Sequence, residues 1–164
     1  MKRILLFLGL GAFITAFFIN LGGMDLLPDW LGNLLFALGV TWLGRRDGEK
    51  LSTPAMIAWV LFATEVVSVL LQPEGFFAVG IGVLFVILEV WLYLLVAGIL
   101  DERFPDAGLS IKPITVLGVA SAVGYTMTMA LGSGILAVLC LLAGLGMKVW
   151  FMVQLWKLSR IVED

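Results

Sequence analysis

Three ionisable side chains, Glu65, Glu89 and Lys148, fall inside long apolar stretches of this sequence. A charge near the centre of a bilayer costs at least about 2.5–3.5 kcal/mol on insertion scales, so each residue needs a partner, a cavity or neutralisation. A carboxylate and an ammonium in such a place are the chemistry of a substrate or proton site. They are equally the chemistry of an ion pair that only locks two helices together.

Glu89 and Lys148 lie at matching positions in their stretches. Each is 13 residues from the start of its stretch, at residues 76 and 135 respectively. At 1.5 Å per residue, both lie about 20 Å from the outer ends of their helices, so the two side chains can meet if the helices adjoin. A third alternative is that Lys148 snorkels alone toward the cytoplasm, because it lies two turns from the end of its stretch.

Polar neighbours extend the candidate substrate or ion path. Glu65 lies six residues before the end of the third stretch, nearer the outer surface, and Ser68 follows it on the same helical face. Tyr93 shares a face with Glu89, one turn later. We therefore predict a path lined by these three residues together with Glu89 and Lys148.

Two carboxylates mark the outer mouth of the predicted bundle. Asp25 and Asp29 flank Leu-Leu-Pro before the second stretch. Acids without nearby bases make this face mildly attractive to cations. Asp29 is favoured as a helix cap over a ligand, because an aspartate beside Pro28 suits the first turn of a helix.

Small residues recur at every fourth position of the fifth stretch: Ala120, Gly124, Thr128 and Gly132. Such a ridge lets another helix come close. Gly144 belongs to a similar stripe on the sixth stretch that leads to Lys148. That stripe permits close packing or leaves room for a ligand, and packing is the favoured interpretation.

The elements that must hold these residues are transmembrane helices. Of the 164 residues, 62% are hydrophobic and 13% charged, with a mean hydropathy of +1.12, whereas soluble domains have about 45–50% and 25%. A helix needs about 20 apolar residues to cross a bilayer. Six stretches qualify, at about 4–21, 27–44, 53–71, 76–100, 113–131 and 135–156. The sequence therefore predicts an all-α, polytopic bundle of six helices that forms a single integral membrane domain over residues 1–164.

Charge bias predicts the orientation of this bundle. Nine of the ten Lys and Arg residues fall at the termini and in the second and fourth connections, and the tenth is Lys148. Because Lys and Arg accumulate in short cytoplasmic loops, we expect a multi-pass protein of the cell membrane with both termini cytoplasmic.

A weak internal repeat accompanies this topology. Leu27-Pro28-Asp29 and the Ala-Leu-Gly-Val at 37–40 resemble Phe104-Pro105-Asp106 and the Val-Leu-Gly-Val at 116–119. The first Pro-Asp is predicted outside and the second inside, as in a three-plus-three inverted duplication.

Several function classes are excluded by what the sequence lacks. There is no histidine and one cysteine, so we expect no metal site, no cofactor and no catalytic residues. The net charge of −2 and the absence of a basic stripe exclude nucleic acid as a partner.

The segment Leu27-Pro28-Asp29-Trp30-Leu31-Gly32 resembles a Leu-Pro-Asp-aromatic-x-Gly box that opens the second helix in a family of small, uncharacterised six-helix membrane proteins of Gram-positive bacteria. This resemblance implies no activity. The number of helices also looks like that of the substrate-binding subunits of energy-coupling vitamin transporters, although the short outer connections lack their longer lids.

Three hypotheses for function follow. The first is translocation of a small solute or ion, or binding of a small molecule within the membrane, by a protein that forms a homo-oligomer or joins a partner membrane subunit. The second is a non-catalytic subunit or assembly factor whose buried charges only lock helices. An intramembrane enzyme is the least favoured, because the supply of nucleophiles and bases is thin.

Overall fold

The computed structural model describes residues 1–16, 20–21, 24–25, 29–47, 52–72 and 74–162, and the side chains at 20–21, 24–25 and 46–47 lie outside this description. Its six α-helices are α1 (Lys2–Ala16), α2 (Asp29–Asp47), α3 (Ser52–Leu71), α4 (Gly75–Arg103), α5 (Lys112–Leu131) and α6 (Gly134–Ile161). A 3-10 turn spans Pro105–Ala107, and the two-residue strands β1 (Asn20–Leu21) and β2 (Met24–Asp25) pair antiparallel. The predicted all-α fold with six helices is confirmed.

The helices differ from the predicted stretches mainly at their ends. Residues 20–21, predicted to end the first helix, form β1 instead. Helices α2, α4 and α6 continue past their apolar stretches into charged turns, and Arg103 and Arg160 lie in the last turns of α4 and α6. Cations are favoured at the negative end of the helix dipole. At 29 residues, α4 is about 44 Å long, so its charged last turn can lie beyond a hydrocarbon core of about 30 Å.

Four of the helices, α3 to α6, are long and apolar enough to cross a membrane. Within the described residues α1 has 15 residues, fewer than the roughly 20 that cross a bilayer. Helix α2 carries charged residues at both ends. This composition fits a membrane protein.

Consecutive helices are neighbours, and α1 and α6 also contact each other, so the six helices form a closed ring. Neighbouring helices run antiparallel: Gly32 of α2 packs on Thr15 near the end of α1 while the later Gly39 packs on the earlier Leu8, and Leu155 near the end of α6 faces Gly9. One end of the bundle therefore collects the starts of α1, α3 and α5 and the ends of α2, α4 and α6. We call this the basic end, because it carries Lys2, Arg3, Arg45, Arg103, Lys112, Lys157 and Arg160.

Three aromatic side chains fill the middle of the ring. Phe36 of α2, Tyr93 of α4 and Phe151 of α6 contact one another with ring centroids 4.9 to 5.8 Å apart. Each is at most 3% exposed. We call these three residues the aromatic cluster. It lies one helical turn beyond Glu89 and Lys148 toward the basic end.

Candidate functional site

Glu89 and Lys148 form an ion pair inside the ring of helices. Lys148 Nζ lies 2.8 Å from Glu89 Oε1, and both side chains are 13% exposed. The pair joins α4 to α6, two helices that α5 separates in chain order. The contact predicted from the matching depths of the two residues is confirmed.

A third helix takes part through Thr15, which lies one residue before α1 ends at Ala16. Lys148 Nζ also donates a hydrogen bond of 2.9 Å to the backbone carbonyl of Thr15. An ammonium near a helix C-terminus interacts favourably with the helix dipole. Lys148 therefore does not snorkel alone, and that alternative is wrong.

The ion pair has unused hydrogen-bonding capacity. A lysine ammonium has three donors and an ionised carboxylate accepts at both oxygens. Among the described residues, the Lys148 ammonium has two partners for its three donors, Glu89 Oε1 and the Thr15 carbonyl. A buried ion pair repays its desolvation only when its remaining donors and acceptors are satisfied. The remaining capacity of the pair can therefore be met by water or by a ligand.

A cavity of about 660 Å³ adjoins the pair. It extends from Glu89 and Lys148 away from the basic end, between the end of α1, the middle of α4 and the facing halves of α5 and α6. Its polar lining includes three side chains on one face of α5: Ser121, Tyr125 and Thr128. The pair thus lies at the inner end of a cavity whose walls are otherwise largely apolar.

Glycines allow the helices that line this cavity to approach one another closely. A Cβ on Gly124 would lie 2.8 Å from the Cβ of Cys140, and one on Gly144 would lie 2.9 Å from Oγ of Ser121, so α5 and α6 approach closely along this face. The stripe on α6 accordingly provides both close packing and part of the cavity wall. On α4, a Cβ at Gly82 would collide with the Tyr125 hydroxyl.

No protein-family model matches the chain, and comparison with curated proteins and with solved structures yields no match. Because a fold does not by itself imply a function, the function is inferred from the chemistry of the site. The described residues contain no group of three or more Cys, Asp or Glu side chains that could hold a metal ion.

The other residues predicted to line the path lie outside the cavity. Glu65 is partly buried on α3, within electrostatic range of Glu89 and Lys148, but it is not among the lining residues. Ser68 lines a separate apolar groove of about 390 Å³ between α3 and α4. Tyr93 is 2% exposed and belongs to the aromatic cluster, with its hydroxyl 3.5 Å from Oγ1 of Thr15. Their role in a path stays a prediction.

The two aspartates of the predicted outer mouth are at the opposite end of the bundle from the basic end. Asp29 is the first residue of α2, so it lies in the first turn of that helix, where a carboxylate is favoured by the helix dipole. Asp25 ends β2, and its side chain lies outside the described residues.

Only some residues of the predicted packing ridge of α5 contact a neighbouring helix. Gly124 contacts α6, and Thr128 lines the cavity while its hydroxyl donates to the carbonyl of Gly124 at 2.8 Å. Gly132 ends α5 in the left-handed conformation, at φ 65°, with no other atom within 4 Å of a Cβ placed there. Ala120 is exposed in the single chain. For Ala120 and Gly132, close helix packing stays a prediction.

Sequence reasoning did not single out Ser121 and Tyr125 as site residues. The signal was present, because Ser121, Tyr125 and Thr128 stand at i, i+4 and i+7 and so share one helical face. Tyr125 is also one of only two tyrosines in the chain. Thr15 could not have been found in this way, because it contributes a backbone carbonyl.

Proposed function

We propose that this chain is an integral membrane protein that binds a small polar solute in the cavity beside Glu89 and Lys148 and moves it across the bilayer. The observation that carries this proposal is that the ion pair lines a cavity of about 660 Å³, where the described residues supply only two partners for the three donors of Lys148. Ligand pockets have volumes of about 300–1,000 Å³ and a few polar groups on mostly apolar walls. A pair that only locked helices together would favour a dry contact with every donor and acceptor satisfied.

The chemistry of the pair indicates the kind of solute. Lys148 can donate to an anionic or carbonyl oxygen, while Oε2 of Glu89 can accept from an ammonium or another N–H group. A zwitterion satisfies both at once and adds no net charge to the membrane interior. Hydroxyls of Ser121, Tyr125 and Thr128 offer further hydrogen bonds along the cavity wall.

Translocation would require the aromatic cluster to open. Phe36, Tyr93 and Phe151 fill the ring on the side of the pair nearer the basic end, so a solute beside the pair has no passage in that direction. We propose that these helices change their packing to open it, with Glu65 and the two aspartates on the opposite, entry side. Many secondary transporters expose a midplane site to each side in turn.

The orientation and the partners are part of the same proposal. All six helices would cross the bilayer with the basic end, and hence both termini, at the cytoplasmic face. Ala120 and the other exposed small residues of α5 would provide a contact for a second copy or for a partner membrane subunit. The Leu-Pro-Asp-Trp-Leu-Gly segment would place the chain among small bacterial membrane proteins.

One observation favours a second function, a non-catalytic membrane subunit. Through its bonds to Glu89 and to the Thr15 carbonyl, Lys148 holds α1, α4 and α6 together. In that case the cavity would be filled by lipid or by a side chain of a partner, and the pair would serve only to fix helix positions.

A binding screen tests the proposal. The purified protein is heated with each member of a panel of small zwitterions, amines and carboxylates, and tryptophan fluorescence gives the unfolding temperature. A ligand at 100 times its Kd stabilises the folded state by about 2.7 kcal/mol, so we expect a zwitterion to raise that temperature. The Glu89→Gln/Lys148→Met variant should lose this response, whereas Lys112→Met, which removes an exposed charge at the basic end, should keep it. A response that persists in the double variant, or a panel without any response, favours the non-catalytic subunit.

A further inference from the structure

A second groove runs along the outside of the bundle between α1 and α6. It encloses about 570 Å³. Lys2 and Arg3 lie at its basic end, and from there it follows Leu6, Leu10 and Phe13 of α1. These three apolar side chains are 43% to 58% exposed. The groove is therefore cationic at one end and apolar along the rest of its length.

The opposite wall adds an aromatic residue, and a further cation contacts that residue. Trp156 of α6 lines the groove and is 56% exposed. The Arg160 guanidinium lies 3.6 Å from the centre of the Trp156 ring, stacked on its face. Stacking fixes the plane of the guanidinium and leaves its N–H groups at the ring edge for a phosphate. Tryptophan is also the residue enriched at the level of lipid headgroups.

Charge and length together identify the occupant. No acidic residue is among the described residues that line the groove, so its basic end complements an anion. From Arg3 to Phe13 the groove follows ten residues of helix, about 15 Å, which is half of a hydrocarbon core of about 30 Å. An acyl chain spans that same half, a single leaflet. Basic pockets between transmembrane helices bind anionic lipid headgroups.

We infer that the groove between α1 and α6 is a binding site for one anionic phospholipid, with its phosphate at Arg3 and Arg160 and an acyl chain along Leu6 to Phe13. This site is separate from the cavity beside Glu89 and Lys148, and it does not depend on the solute proposed above. A lipid held there would cover the contact between α1 and α6, the contact that closes the ring of helices.

Native mass spectrometry of the full chain tests this inference. Phosphatidylglycerol or phosphatidylcholine with the same acyl chains is added to the protein in detergent, and the retained lipid is counted. We expect one phosphatidylglycerol to be retained at least tenfold better than phosphatidylcholine. Each basic residue near a membrane surface contributes about a fivefold preference for anionic lipid, so Arg3→Gln/Arg160→Gln should abolish most of it. Lys112→Gln, a charge at the same end of the bundle but outside the groove, should leave it unchanged.

A second variant tests the apolar part of the groove. A Cβ at Gly9 would meet only Leu155 Cδ1, at 3.9 Å, so Gly9→Phe should fold and fill the groove. It should prevent retention of phosphatidylglycerol, whereas Gly98→Phe, where no atom lies within 4 Å of an added Cβ, should not. Equal retention of the two lipids by the unmodified chain would overturn the inference. Displacement of the lipid by millimolar inorganic phosphate would also overturn it, because the groove would then bind a free anion. A dimer that disappears with Gly9→Phe would overturn it as well, because the groove would then hold a second copy of the chain.

Discussion

Removing both members of the Glu89–Lys148 pair should destabilise the fold far less than the sum of the two single losses. Lys148→Met deletes the 2.8 Å contact with Glu89 and the 2.9 Å bond to the Thr15 carbonyl, and it leaves a mostly buried carboxylate without its cation. Breaking a buried pair costs about 3–5 kcal/mol. We expect the lower end, about 3 kcal/mol, because the cavity gives the carboxylate access to water.

The second single variant should cost less. With Glu89→Gln the Lys148 ammonium keeps the Thr15 carbonyl and can still donate to the amide oxygen, so we expect a loss of about 2 kcal/mol. The double variant has no buried charge at this site and should also lie about 2 kcal/mol below the unmodified protein. The interaction free energy of the cycle is then about 3 kcal/mol.

The assay is equilibrium unfolding in mixed micelles of increasing denaturing-detergent content, followed by tryptophan fluorescence. Glu74→Gln and Lys112→Met form the matched control cycle, because both residues are exposed and lie at opposite ends of the bundle. Their effects should each stay within about 0.5 kcal/mol and should add. Additive losses for Glu89→Gln and Lys148→Met would refute the coupling that the geometry indicates.

Three further predictions concern packing and orientation. Gly124→Leu should destabilise the fold by about 1–3 kcal/mol through overpacking of α5 against α6, whereas Gly98→Leu, in open space, should leave the unfolding midpoint nearly unchanged; equal effects would contradict the close approach. Phe151→Ala, which empties a position that is 1% exposed, should cost about 3–5 kcal/mol in the same unfolding assay, and a loss below 1 kcal/mol would show that the aromatic cluster is loosely packed. In a Cys140→Ser background, an impermeant thiol reagent added outside intact cells should label Gln72→Cys and not Asp106→Cys, and the reverse pattern would invert the proposed orientation.

The number of helices and the ion pair could both be predicted from the sequence. Apolar runs of bilayer length are a strong signal, and equal distances from the helix starts predict that Glu89 and Lys148 can meet if their helices adjoin. The ends of α2, α4 and α6 lie beyond the stretches that hydropathy predicts, because an apolar stretch stops at the first charged residue while the helix continues. Arg103 and Arg160 illustrate this, since each lies in a last turn that the hydropathy pattern excludes.

The inward-facing side of each helix could not be predicted. Lipid tails are as apolar as the core, so a membrane helix shows little hydrophobic periodicity. Phe76 is 92% exposed and Phe151 1% exposed, although the two residues are chemically identical. For the same reason the sequence predicts a path along the polar stripe of Glu65 and Ser68, whereas the cavity is lined by the stripe on α5 that includes Tyr125.

The central claim is that Glu89 and Lys148 adjoin a water-accessible cavity, and thiol labelling in proteoliposomes tests it most directly. Cys140 lines the cavity and is 9% exposed, while its neighbour Leu139 is 56% exposed and is not among the lining residues. A membrane-impermeant, hydrophilic maleimide should label Cys140 and also Thr128→Cys in a Cys140→Ser background. It should not label Leu139→Cys in that background, because a lipid-facing thiol meets no water. If both cavity thiols react only after the protein is unfolded in detergent, the space beside the ion pair is dry and the proposed solute site is contradicted.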